Sequence, residues 1–154
     1  MARRLRRDGR AVPISFPGSA DVGRRWIAAE DYPLYARAFA VDSVGSLLHP
    51  PAAARMSQLE AQRQVILRVL RGLGPVAVDD LCRRYGLTLK RMASVLRIPL
   101  QTGEIQQGSF VHGRSVPQVC SRANLEELHR MALAALRREA EPVGLDRYVD
   151  FLLK

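Results

Sequence analysis

Lys90, Arg91, Ser94 and Arg97 recur at the spacing of one helix face, while Leu89, Met92, Val95 and Leu96 fall on the other. Cationic and hydroxyl side chains in that pattern do not make or break bonds. They neutralise phosphates and hydrogen-bond to polar edges. Arginine suits the paired acceptors of guanine, and lysine acts as a point charge on a phosphate. An ordinary solvated helix face has the same pattern, so its place in the fold decides between the two readings. Arg83 and Arg84 precede this stretch and are candidates for supporting phosphate contacts. Gln106, Gln107, His112 and Arg114 come after it in a polar segment.

Bond-making chemistry has no comparable signal. His49, His112 and His129 are scattered, with no carboxylate or thiol at ligand spacing. Cys82 and Cys120 lack CxxC partners, which argues against zinc. Cys82 falls at an apolar helix position, where a small buried thiol is the default. Ser57 and Thr88 read as helix caps before they read as nucleophiles. Asp79, Asp80, Glu126 and Glu127 sit near helix starts, where the macrodipole favours negative charge. No catalytic residue, resident cofactor or metal is expected in this chain.

The elements that must position the basic face are set by periodicity. Ser57 and Glu60 form a Ser-x-x-Glu capping box. A helix comes next, with Leu59, Ile66, Leu70 and Leu73 in its stripe and Val65 and Val69 beside them. Gly72, Gly74 and Pro75 end it. Val76-Ala77-Val78 predicts a short strand. Asp79 or Asp80 opens a second helix that buries Leu81, Cys82 and Tyr85, and Gly86 closes it. Thr88 caps the third, basic helix, which should fade near Pro99. Two strands around His112-Gly113-Arg114 predict a hairpin, with Pro117 confining the second strand to an edge. Helix, strand, helix, helix, hairpin is the order of a winged helix-turn-helix. The expected fold is mainly α with a small β-wing, plus a helical extension.

Around this module, residues 1–23 read as a basic disordered tail and 24–40 as a strand-helix element, in which Asp31 caps a helix running to about Phe39. Residues 41–56 read as a linker, 57–121 as the winged helix and 122–154 as a C-terminal helical extension. Asn124 is the expected cap of that extension. Leu125, Leu128, Ala132 and Leu136 form its stripe, with Met131 and Ala135. Pro142 and Gly144 separate it from a further apolar stretch holding Leu145, Val149, Leu152 and Leu153.

The net charge of +9 over 154 residues favours an anionic partner. Its distribution weakens that inference. Residues 1–25 carry seven arginines against Asp8 and Asp21, so the remainder has a net charge of only +4. The argument for nucleic acid rests on where the charges sit. No apolar run approaches the roughly 18 residues of a membrane span, and MARRLRRDGR lacks the apolar stretch of a secretory leader. The expected location is the bacterial cytoplasm, at the nucleoid.

Three stretches resemble the large helicase-related (Lhr) family of bacterial DNA-repair helicases. RRWIAAEDYPLYARAFA looks like the family's Arg-Trp-(Ile/Phe)-Ala-x-Glu-Asp segment. RGLGPVAVDDLCRRYGL is similar to its Gly-Pro-(Phe/Val)-Thr winged-helix segment, which ends in Arg-(Tyr/Phe)-Gly-(Leu/Val). LEELHRMALAALRREAEPVGLDRYVDFLLK, the most specific, resembles its Leu-Arg-x-Glu-(Ile/Val)-Glu-Pro-Val region together with the Arg-(Phe/Tyr)-x-x-Phe element beyond it. Together they cover roughly 24–154.

The resemblance implies a DNA-binding winged-helix module of an ATP-dependent helicase, with duplex DNA or a duplex/single-strand junction as partner. It also implies ATP and magnesium in the family's motor. That motor has no counterpart here: there is no GxxxxGK[ST] loop and no Asp-Glu-x-His pair. The family's Trp-Gln pair would come after Lys154, which points to a fragment, a split gene product or a decayed copy. RIPLQTGEI replaces a more regular helix end, so the third helix is expected to be shortened or bent. The glutamine-hydrophobic-aspartate motif of the family's glycosylase-like region has no match, so glycosylase activity is not expected. Two alternatives stand beside the DNA reading. One is an interaction module packing against the helicase motor or another copy of the chain; the other is a stand-alone transcription regulator.

Overall fold

The computed structural model describes residues 9–19, 25–43, 56–111, 113, 116–139 and 144–153. It is mainly helical with two small antiparallel sheets. In chain order the elements are β1 (Ala11–Ser15), β2 (Arg25–Ala28), a 3-10 turn (Ala29–Asp31), α1 (Tyr32–Phe39) and β3 (Asp42–Ser43). Then come α2 (Gln58–Gly72), β4 (Val76–Ala77), α3 (Val78–Tyr85), α4 (Leu89–Gln101), β5 (Ile105–Gly108), β6 (Gln118–Ser121), α5 (Arg122–Glu139) and α6 (Leu145–Leu152).

The segment expected as a disordered tail contributes β1, the middle strand of a β2-β1-β3 sheet. Proline cannot donate to a ladder, yet Pro13 stands in the middle of this strand. The register shows how it is tolerated: β2 pairs along Ala11 to Ile14, but β3 meets only Ile14 and Ser15. One edge of Pro13 therefore has no strand beside it. Ile14 and Phe16 enter the core. Asp31 sits at the start of α1 without capping it, and its carboxylate pairs with Arg68 instead.

Three helices and a three-stranded sheet of order β4-β6-β5 form the winged helix. Ser57 caps α2 by accepting from the Glu60 N–H at 3.1 Å, while the Glu60 carboxylate pairs with Arg63. Val65, Ile66 and Leu70 are fully buried against Leu81, Met92, Val95, Ile105 and Val119. Leu73, expected in the stripe, lies past the helix end and is exposed. The basic helix α4 is not shortened at Pro99 but continues to Gln101. A proline in the last turn removes one helical bond, and its ring is buried here. β6 is the central strand, not an edge: Pro117 stands just before it and accepts from the Val78 N–H at 3.2 Å.

Asn124 does not cap its own helix. Ser121 Oγ accepts from the Asn124 N–H at 3.3 Å, and the Asn124 amide turns back to donate to the carbonyls of Leu70 and Arg71 at 3.0 and 3.1 Å. It thereby satisfies orphan carbonyls at the end of α2 and ties α5 to the module. Beyond that point no described residue of α5 or α6 is buried.

The first sheet is fastened to the winged helix where Pro17, Gly18 and Ser19 cross the end of α3. Phe16 meets Tyr85 edge-on at 5.1 Å and Phe39 at 5.2 Å, and Phe39 stacks on Tyr85 at 5.0 Å. Ser19 Oγ donates to the Arg83 and Arg84 carbonyls at 3.0 and 3.1 Å, and Arg25 Nη1 reaches the Arg84 carbonyl at 3.1 Å. Gly86 makes the crossing possible. Its φ is +63°, and a Cβ there would lie 2.2 Å from the Pro17 carbonyl oxygen. Gly86→Ala is expected to destabilise the chain by at least about 2 kcal/mol, combining left-handed strain with the backbone clash. Urea unfolding followed by circular dichroism checks this; an unchanged midpoint would show that the crossing does not hold the sheet.

Candidate nucleic-acid interface

The basic face is built from its buried back outward. Met92 and Val95 are 0% exposed and Leu96 is 3% exposed, which fixes the rotation of α4 against α2 and α3. Thr88 caps the helix, accepting from the Arg91 N–H at 3.2 Å. With the back fixed, Lys90, Ser94 and Arg97 are exposed on the front. No described residue pairs with the side chain of Lys90 or Arg97. Ser94 Oγ donates to the Lys90 carbonyl at 3.1 Å, leaving its oxygen free to accept.

Two side chains depart from expectation. Leu89, placed on the apolar back by its spacing, is 60% exposed. It belongs to the first turn, where the helix has already left the core. Arg91 is half-buried rather than on the open front. Its Nε donates to Gln62 Oε1 at 2.7 Å, and the buried Gln62 passes its own amide to the Ala38 carbonyl at 2.9 Å. Arg91 therefore links α4 through α2 to α1.

The hairpin stands beside α4. A cleft of 740 Å³ between them is lined by Leu89, Arg97, Gln101, Gln107 and Pro117, with Asp79 of α3. Gln107 thus joins the same surface as Arg97. Gln106 faces the opposite side, toward α5. His112 and Arg114 lie outside the described residues. Gln118, which sequence reasoning missed, holds the hairpin in shape: its buried Oε1 accepts from the Phe110 and Val111 N–H groups at 3.2 and 3.1 Å. The available signal was a glutamine directly before the apolar pair Val119-Cys120.

Arg83 pairs with Asp80, and the Arg84 guanidinium lies 5.9 Å over the Tyr85 ring. Both are exposed, but each is partly occupied within the fold.

The cysteines and carboxylates of the described residues are placed as follows. Burial pushes both cysteine thiols up, Cys82 further through the nearby Asp79 carboxylate, so neither is primed as a thiolate. Glu126 and Glu127 pair with Arg122 and Arg130. Among the described residues no three ligands gather for a metal, and no helix is long and apolar enough to cross a membrane.

Comparison with known proteins agrees with this architecture. The family described as the DprA winged helix domain matches residues 50–97, which take in α2, β4, α3 and most of α4. A protein of Mycolicibacterium smegmatis described as "Lhr helicase/ probable uracil glycosylase" is 32% identical over 143 residues, covering 93% of this chain. The match covers 9% of that protein, so this chain spans under a tenth of its relative's length. No solved structure matches. The chain thus contains a winged-helix domain and is similar over nearly all its length to a small part of an Lhr protein.

Proposed function

We propose that this chain is a non-catalytic DNA-binding module of the kind found in Lhr-type DNA-repair helicases, with α4 laid in the major groove and the hairpin beside it. One observation carries the reading. The side of α4 opposite Met92 and Val95 is open, and its two cations, Lys90 and Arg97, meet no described counter-charge. An unpaired guanidinium and ammonium on an exposed helix, next to a hairpin, suit a groove and its phosphate rails. Thr88, Ser94 and Gln107 supply polar contacts at the edges of this surface. Arg83 and Arg84 support phosphate contact from α3, and the N-terminal arginines and Arg114 add further charge. Arg91 acts at one remove, by holding α4 in place.

With about six phosphate contacts, the log–log dependence of affinity on salt has a slope of roughly −5. Fluorescence anisotropy on duplex DNA reads this directly. Lys90→Glu with Arg97→Glu is expected to weaken binding roughly 50-fold at 0.1 M salt, from the loss of two counterion-releasing contacts. The melting temperature should stay put, since both side chains are exposed. Unchanged binding would mean that a different surface meets DNA.

Arg91→Ala should behave differently, costing about 2 kcal/mol of stability because it strands the buried Gln62 oxygen. Equilibrium unfolding tests this, and a wild-type midpoint would remove Arg91 from its linking role.

The chain alone is expected not to turn over ATP. DNA-stimulated phosphate release from the purified protein would contradict the non-catalytic reading.

A further inference from the structure

Among the described residues of the winged helix, no large apolar side chain is more exposed than Leu89, at 60%. It stands at the first position of α4, directly after the Thr88 cap. Ala93, one turn on, is exposed on the same side. Met92, Val95 and Leu96 already anchor the helix, so its packing does not call for either residue. The open side of α4 therefore carries two rows. Lys90, Ser94, Arg97 and Gln101 form a polar row, and Leu89 and Ala93 form an apolar row toward the hairpin.

The surroundings of the apolar row restrict what it can meet. Leu89, Ala93, Leu96 and Leu100 line one wall of the 740 Å³ cleft, with Val78 and Pro117 across from them. Asp79 stands in the same cleft and repels phosphate. A sugar-phosphate rail is thus drawn to Lys90 and Arg97 and kept away from Leu89. Between the two rails of a major groove lie the base edges, and the first-turn residues of a helix in the groove reach them. A leucine side chain neither donates nor accepts, so it cannot read their hydrogen-bonding groups. The one apolar group on a major-groove edge is the C5 methyl of thymine, which pairs with apolar side chains.

We infer that Leu89, backed by Ala93, is a specificity-determining contact for the C5 methyl of thymine in duplex DNA. The inference rests on the reading that α4 enters the major groove, and adds a base preference to it. Lys90 and Arg97 give affinity that does not depend on sequence, and Leu89 supplies discrimination. At a base without the methyl, Leu89 has no apolar surface to cover.

Fluorescence anisotropy on the full chain tests this with two short duplexes, one of alternating adenine and thymine and the other with every thymine replaced by deoxyuridine. The replacement removes the methyl and keeps every base-pairing group. The wild type should bind the thymine duplex roughly fourfold tighter, the worth of taking one methyl group out of water. Leu89→Ala should bind the deoxyuridine duplex like the wild type, show an unaltered circular dichroism melt and reduce the preference to about twofold or less. A preference caused by duplex shape alone would persist in Leu89→Ala and overturn the inference. The same contact should favour 5-methylcytosine over cytosine in a guanine-cytosine duplex, again only with Leu89 present. Equal binding of the thymine and deoxyuridine duplexes by the wild type removes the inference and leaves the DNA reading standing. Binding to neither duplex at low salt removes both.

Discussion

The structure depends on the burial of Met92, Val95 and Leu96 against α2 and α3. A helix has one free rotation about its axis, and these three side chains remove it. Burying each is worth about 1.5–3 kcal/mol, far more than any surface contact α4 makes. Everything on the opposite face, including the direction in which Lys90 and Arg97 point, is a consequence. The Gln62–Arg91 hydrogen bond adds direction to this apolar constraint. An apolar back tolerates small rotations, whereas a guanidinium tied to a buried amide permits only one.

The same logic extends outward from the winged helix. Gln62 hands its second hydrogen bond to the end of α1, and Tyr85 hands its ring to Phe16 and Phe39. The first sheet is thus fastened to the winged helix by an aromatic cluster and by backbone carbonyls at the end of α3. That end is also where the turn into α4 begins. The segment crossing Gly86 meets the carbonyls at the end of α3, and Lys90, Ser94 and Arg97 on the front of α4 are exposed.

Local rules made much of this legible from the chain. Ser57, Thr88 and Gly86 each announce a helix boundary within a few residues, and the structure places the boundaries there. Leu81, Cys82 and Tyr85 are buried as their spacing implies. The openness of the surface around Lys90, Ser94 and Arg97 came from the apolar spacing behind it. The features that escaped are non-local. Nothing near Pro13 says that its β3-side edge would have no strand beside it. Arg91 looked like its neighbours because Gln62 lies 29 positions away. Asn124 looked like a cap for its own helix because the carbonyls it serves are more than fifty residues upstream. Leu89 escaped for the opposite reason: periodicity assigns a face but does not show where the core stops.

Lys90 and Arg97 gain their meaning from this frame, not from the net charge of the chain. The most direct measurement is an amide chemical-shift titration of the labelled protein with a short DNA duplex. The account predicts that the largest shifts fall on α4 around Lys90, Ser94 and Arg97 and on Gln107 of the hairpin, with Met92 and Val95 little changed. Shifts confined to α5 or α6, or none at all at low salt, would contradict it.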